Sequence, residues 1–242
     1  MIAIETKNLT KKYKEKIAVN ELNLEIEENI LFSLLGVNGA GKSTTIKMLS
    51  TLIKPTSGDI YINGLDVKDN TNKIREIINV SPQETAVAKN LTVKENLEFM
   101  AGVYEIKNKE EKIAELIKVF KLKDVVNQKA KTLSGGYQRR LSIALALIND
   151  PKILFLDEPT LGLDVIARRE LWNIIEHLKE KMTIILTTHY MEEAENLSDL
   201  IGIMNNGQLI TCGTKEELMS KTNTKNIEEA FIKIVGVNDE NN

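Results

Sequence analysis

The stretch "ILFSLLGVNGAGKSTTIKML", Ile30 to Leu49, constrains the fold more than any other part of the chain. An apolar run leads into a loop with glycines at 36, 39 and 41, and then into a segment with Ile46, Leu49 and Ile53 spaced for one helix face. Strand, glycine loop and helix therefore follow one another directly. The loop completes the pattern G-x-x-x-x-G-K-[ST] from Gly36 to Ser43. In such a loop the backbone N–H groups of Gly36, Val37, Asn38, Gly39, Ala40, Gly41 and onward to Thr44 wrap phosphates. Lys42 then reaches the outer phosphate oxygens and Ser43 supplies a magnesium ligand.

A second apolar run, "ILFLDEPT", ends in Asp157 and Glu158, which puts two carboxylates at the carboxyl edge of the sheet, where open α/β folds bind their ligands. Asp157 is expected to hold the metal through its shell, and Glu158 to accept a proton from an attacking water. His189 closes the strand "TIILTTH" at the same edge and is suited to bond the terminal phosphate or orient that water. His177, on the preceding helix, carries no such cue and reads as an exposed bystander. Gln83 in "VSPQE" has an amide oxygen able to ligate magnesium, but from the residues alone a solvated loop glutamine fits equally well. "LSGGYQRR", Leu133 to Arg140, is a Ser-Gly-Gly turn opening an amphipathic helix with Leu141, Ala144, Leu145 and Ile148 on one face. The free N–H groups at such a start receive an anion. One chain thus holds two anion receptors.

Alternation in "IAIE", "LNLEI" and "DIYING" marks half-buried strands of an antiparallel layer flanking the main sheet. From about 91 to 149 the periodicity is helical, with Ile113, Leu116, Ile117 and Phe120 on one stripe, and the sheet resumes with "KILFLD" and "MTIILTTH". The expected fold is α/β with a mostly parallel core sheet, a flanking antiparallel layer and an inserted helical subdomain. One domain spans 1–242, divided into a core lobe (about 1–90 and 150–215), a helical segment (about 91–149) and a short tail (216–242). The lysine and glutamate mixture over 107–131 reads as solvated helix faces, and the polar end "VNDENN" as frayed.

With 32 Lys and Arg against 35 Asp and Glu, the net charge of −3 lacks the basic excess that a nucleic-acid backbone demands, so no nucleic-acid partner is expected. The single Cys212 leaves no internal disulfide, the amino terminus carries no signal-peptide core, and the longest apolar run, "LSIALALI", is far below the roughly 20 residues of a spanning helix. A cytoplasmic setting is expected, with any membrane role exercised through a partner.

In their order along the chain these motifs resemble the ATP-binding cassette of ABC transporters, a P-loop NTPase fold, over nearly the whole sequence. The resemblance implies that Tyr13 in "LTKKYKEKIAV" stacks on adenine, although a lone aromatic also serves as core or rim. It makes 36–44 the Walker A loop, Gln83 the Q-loop residue and metal ligand, "LSGGY" the signature, "ILFLDEP" Walker B, "LGLD" the D-loop and His189 the switch histidine. It implies ATP and Mg2+ as cofactors. It also implies a head-to-tail pair of cassettes, most simply a homodimer, in which Ser134, Gly135 and Gly136 of one chain cap the γ-phosphate held by the other. Separate transmembrane permease subunits would be the further partners, docking around Gln83 and residues 84–97, with the chain peripheral on the cytoplasmic membrane face.

Tyr137 stands where that family usually has glutamine, so no polar contact to the nucleotide is assigned to it. "LGLD", "TTHYMEEAE" and the tail "NIEEAFIKIVG" resemble export-type cassettes, including antibiotic-resistance and sodium-export ATPases. The expected function is the ATP-hydrolysing subunit of an exporter. The alternatives are an importer subunit, a soluble ABC ATPase acting on DNA or ribosomes, and a nucleotide sensor without turnover; Glu158 speaks against the last.

Overall fold

The computed structural model, which describes residues 1–239, begins with two long antiparallel strands, β1 (Ile2–Tyr13) and β2 (Lys16–Glu27). Along β2, Leu22, Leu24 and Ile26 are buried while Asn23, Glu25 and Glu27 face outward, the alternation of a one-sided sheet. β3 (Leu31–Leu35) is buried throughout and runs through the glycine loop into α1 (Lys42–Leu49). β4 (Ser57–Ile62) pairs with β1, and β5 (Leu65–Asp66) with β4, which completes an antiparallel sheet in the order β2-β1-β4-β5. α2 (Val67–Ile77) then leads into β6 (Ile78–Ser81).

A helical stretch follows, with α3 (Val93–Val103), α4 (Lys109–Val119) and α5 (Gly135–Ala146). The sheet resumes as β7 (Ile153–Asp157), α6 (Val165–Lys179), β8 (Thr183–Thr188), α7 (Met191–Leu197), β9 (Leu200–Asn205) and β10 (Gln208–Gly213). α8 (Lys215–Thr222) and α9 (Ile227–Asp239) close the chain. The main sheet has the order β10-β9-β3-β8-β7-β6, parallel except for the β9–β10 pair. This is the α/β architecture expected from the motifs.

The parallel strands are apolar on both faces because both are covered. Phe32, Leu34, Ile153, Phe155 and Ile185 point into a core shared with α1 and the antiparallel sheet. Leu31, Leu154, Leu156, Ile184 and Leu186 point the other way, into a core shared with α3 to α6. A third cluster, Leu35, Ala194, Ile201, Ile203, Leu218, Ile227 and Phe231, seats α7, α8 and α9 at the β9 side. Register brings the strand ends level: Leu35 lies opposite Thr188, and Asp157 opposite Thr187. Everything that leaves β3, β7 and β8 therefore emerges along one edge.

Three sequence expectations change. α1 stops at Leu49, and Thr51 takes a left-handed φ of 62°, so Ile53 lies beyond the helix and packs from the turn that follows. α5 is buried on every side from Arg139 to Ala146, because β6, α3 and α6 all pack on it, whereas an amphipathic helix was expected. The helix of the tail runs to Asp239, and the last residues of the stretch expected to fray, 240–242, lie outside the described residues. His177 is exposed as expected, and between 107 and 131 Lys112 departs from a solvated face by turning in to Glu115 and Asp150.

Candidate functional site

At the level strand ends lies a cavity of about 450 Å³, lined by Lys16, Ala18, Asn38, Gly39, Gly41, Lys42, Ser43, Thr44, Gln83, Glu158, Leu161 and His189. Five separate parts of the chain meet there: β2, the loop after β3 with the start of α1, the segment after β6, the turn after β7 and the end of β8. The glycines are dictated by space and by backbone. A Cβ on Gly36 would stand 2.3 Å from Met204 O of β9. At Gly41, with φ of 107°, it would meet Ala18 O at 2.5 Å, and only glycine takes that backbone readily.

Lys42 is 5% exposed, and its ammonium donates to Gly36 O (2.7 Å) and Val37 O (3.2 Å) while pairing with Glu158 Oε1 (3.2 Å). Glu158, also 5% exposed, accepts at Oε2 from His189 Nδ1 at 2.7 Å. Since an ionised carboxylate only accepts, the imidazole carries its proton on Nδ1. Ammonium, carboxylate and imidazole thus form one chain across the cavity floor. Glu158 sits at φ 50°, a left-handed conformation worth about 1 kcal/mol or more of strain for a side chain of its kind, secured where its N–H reaches Thr187 O and Oγ1, both at 3.1 Å.

Asp157, 5% exposed, accepts at Oδ1 from Ser43 Oγ (2.9 Å) and Thr187 Oγ1 (2.6 Å). Gln83 is exposed at the rim, and its loop is gripped from α5, where the Arg139 guanidinium donates to Pro82 O (2.7 Å) and to Gln83 O. Burial pushes the Arg139 pKa below its ordinary value, against the opposing fields of Asp157 and Glu193. Ser43 Oγ, an Asp157 carboxylate oxygen and the Gln83 amide are hard oxygen donors of the kind that suits Mg2+, so the donor set fits the ion inferred from sequence. Among the described residues no cluster of three or more His, Cys, Asp or Glu side chains forms a separate metal site.

Not every residue singled out in the sequence enters the cavity. Val37 stands exposed, Ala40 is buried in the core, and Gly36 contributes its carbonyl from below. Tyr13 is 47% exposed and outside the lining, with Lys11 Nζ 5.1 Å from its ring. Ser134, Gly135 and Gly136 also lie outside it, at the start of α5, where the Ser134 hydroxyl accepts from the Tyr137 N–H (3.5 Å). Tyr137 faces sideways, with the Arg140 guanidinium 5.1 Å from its ring and paired in turn to Glu170. Lys16, Ala18 and Thr187 are participants that sequence reasoning did not single out, and of these only Thr187, in "LTTH" beside a strand end, carried a signal; Leu161 enters the cavity from the "LGLD" stretch.

A glycine loop between a buried parallel strand and a helix, beside a strand that ends in two acids, defines a P-loop α/β protein. The family model described as ABC transporter matches residues 19–161, and the chain belongs to that family. It is 40% identical over 240 residues to a probable multidrug ABC transporter ATP-binding protein, YbhF, of Escherichia coli K12, covering 96% of this chain and 41% of that one. It is 42% identical over 221 residues to the daunorubicin/doxorubicin resistance ATP-binding protein DrrA of Streptomyces peucetius, covering 90% and 67%. A solved dimeric ATP-binding cassette, MJ0796, in a post-hydrolysis state bound to ADP and Pi, superposes with a TM-score of 0.79 at 30% identity over 87% of this chain and 98% of that one. The chain thus spans less than half the length of its Escherichia coli relative.

Proposed function

We propose that the chain is the ATP-hydrolysing subunit of an ABC exporter, pairing around Mg-ATP and driving separate membrane subunits. The observation that carries this reading is the bonded run of buried Lys42, buried Glu158 and half-buried His189 at the floor of the cavity, beside the Ser43–Asp157 pair. The loop from Gly36 to Thr44 offers its N–H groups to the β and γ phosphates, and Lys42 exchanges its bond with Glu158 for one with phosphate oxygen. Glu158, released from the ammonium, orients and deprotonates water, with His189 holding it in place through Nδ1 and supporting the γ-phosphate. Ser43, Asp157 and Gln83 would hold Mg2+, which neutralises phosphate charge when bound. Tyr13 is the candidate for adenine stacking.

The names of the multidrug and drug-resistance relatives support export, and the dimeric cassette supports pairing of two copies. No helix among the described residues is long and apolar enough to cross a membrane. On the reading proposed here the chain is a peripheral subunit on the cytoplasmic face working with separate permeases. The same reading divides the chain into a core lobe (about 1–90 and 150–215), a helical lobe (91–149) and a tail (216–242), with permeases docking near Gln83 and residues 84–97. The test is Mg-dependent phosphate release by the purified protein, alone and with the membrane protein that co-purifies in mild detergent. Turnover that disappears in Glu158→Gln is the expected result; no hydrolysis in either preparation overturns the reading.

A further inference from the structure

The link between β8 and α7 is His189 followed by Tyr190, and the tyrosine has no part in the mechanism above. The Tyr190 N–H donates to Thr188 Oγ1 (2.9 Å), a local turn that fixes the backbone of the link. Its ring has two neighbours. The His189 imidazole lies 4.2 Å away between ring centroids, tilted by 38°. The Arg168 guanidinium, reaching over from the start of α6, stands 4.6 Å from the Tyr190 ring centre.

The ring is the firmest partner this guanidinium has. Arg168 Nε is shielded from water and finds no hydrogen-bond partner among the described residues. The ion pair from Nη1 to Glu192 Oε2 is 4.0 Å long, on an exposed carboxylate, and contributes little. A buried N–H left without an acceptor is costly, so the group stays in place only where another contact holds it, and stacking on a tyrosine face supplies that contact. One turn further along the same face of α6, Trp172 donates its indole N–H to buried Glu193 of α7 at 3.0 Å. The entry to α7 is therefore gripped twice by one helix.

The imidazole needs such support. His189 is 28% exposed, and among the described residues its ring bonds only to Glu158, through Nδ1 at 2.7 Å. A ring held by one hydrogen bond pivots about it, whereas a second, flat contact fixes its plane. We propose that Arg168 and Tyr190 are positioning residues: the guanidinium holds the tyrosine ring, and the ring holds the His189 imidazole toward Glu158 and the cavity. The contacts then run without a break from Arg168 through Tyr190, His189 and Glu158 to Lys42. Displacements of about 1 Å at such a site cost about a hundredfold in rate.

This inference rests on the hydrolytic reading, so its test has one arm that needs no turnover. The chain has two histidines, so NMR of histidine-labelled protein gives two sets of imidazole signals, and His177→Gln leaves only that of His189. In this background Tyr190→Leu removes the tyrosine ring current and moves the His189 signals, Tyr190→Phe leaves them in place, and Arg168→Met moves them in the direction of Tyr190→Leu. Signals that stay put in Tyr190→Leu overturn the stack, and signals that stay put in Arg168→Met overturn the hold of the guanidinium on it. In the activity arm, Tyr190→Phe keeps kcat within about twofold, Tyr190→Leu loses about tenfold or more and Arg168→Met about threefold or more, each with KM for ATP little changed. The double variant falls no further than Tyr190→Leu, because Arg168 acts through the ring. Losses that multiply in the double variant, full activity in both single variants, or a loss in Glu192→Gln equal to that in Arg168→Met overturns the proposal. If one single variant does not fold, the other decides by its own kcat and His189 signals. A wild type without ATPase activity sinks the hydrolytic reading and the catalytic role of the stack with it, and the NMR arm still decides whether the stack holds the imidazole.

Discussion

Lys42 cannot hold Glu158 and a phosphate oxygen in the present geometry at once, because two carbonyls and the carboxylate already surround its ammonium. Two outcomes follow at the scale of single residues. Lys42→Ala removes a charge-assisted contact worth about 1.5–3 kcal/mol, so ATP binding should weaken by about tenfold to a hundredfold, as read by equilibrium titration with a fluorescent nucleotide. An affinity equal to wild type would remove Lys42 from the phosphate site. Glu158→Gln acts in the opposite sense on binding: the amide no longer competes for the ammonium, so ATP affinity is maintained or improved. Turnover still falls by about a hundredfold or more, because the amide takes no proton from water. Hydrolysis at the wild-type rate would show that the base lies elsewhere.

Among elements, α6 starts on a cap that serves two backbone N–H groups. Asp164, last residue of "LGLD", accepts at Oδ1 from the N–H groups of Ile166 and Ala167, both at 2.9 Å. Asp164→Ala should cost about 1 kcal/mol and lower the thermal midpoint by about 2–4 °C in a circular dichroism melt. A midpoint unchanged or higher would mean that packing through Leu171, Trp172 and Ile175 alone sets this helix. The strands that build the site were readable from the sequence for a physical reason: β3, β7 and β8 are buried on both faces, so each is a largely apolar run, broken by Ser33 in β3 and by threonines in β8, that leads into functional residues. Other parts were not. β9 and β10 form a hairpin at the sheet margin, and nothing local places Met204 against Gly36. Lys16 and Ala18 reach the cavity because a second sheet folds across the loop, a tertiary fact without a motif. Ile53 shows the limit of periodicity, since its spacing fits α1 but a left-handed Thr51 ends the helix first. Glu193 looked like one more acid of "YMEEAE", and only packing against Trp172 distinguishes it from its exposed neighbour Glu192.

For the whole molecule the decisive point is that the chain keeps its glycine loop and the second anion receptor proposed from its sequence apart. Ser134 and Gly135 are exposed at the start of α5 and contribute nothing to the cavity that holds Lys42, although the helix start offers free N–H groups. A receptor excluded from its own chain's site is available to another chain's, and mixing two defective proteins tests this. Lys42→Ala spoils the phosphate loop, and Ser134→Arg places a large side chain where a partner's phosphate would approach. The second variant also loses the cap to the Tyr137 N–H, so both proteins are first matched for folding by their melting profiles. Each homodimer is defective at both sites whichever arrangement holds. In a mixed dimer with shared sites, one site collects both lesions and the other joins an intact loop to an intact partner helix. Random assembly of equal amounts makes about half the dimers mixed, so about a quarter of all sites are whole. Mixing should restore a single-turnover burst of phosphate release at about a quarter of the wild-type amplitude, even if steady turnover needs both sites. If each chain completed its own site, every site would carry a lesion and the mixture would stay silent. No burst from a mixture shown by cross-linking to contain mixed dimers would rule out sharing, and would leave the Ser-Gly-Gly start of α5 as a helix cap alone.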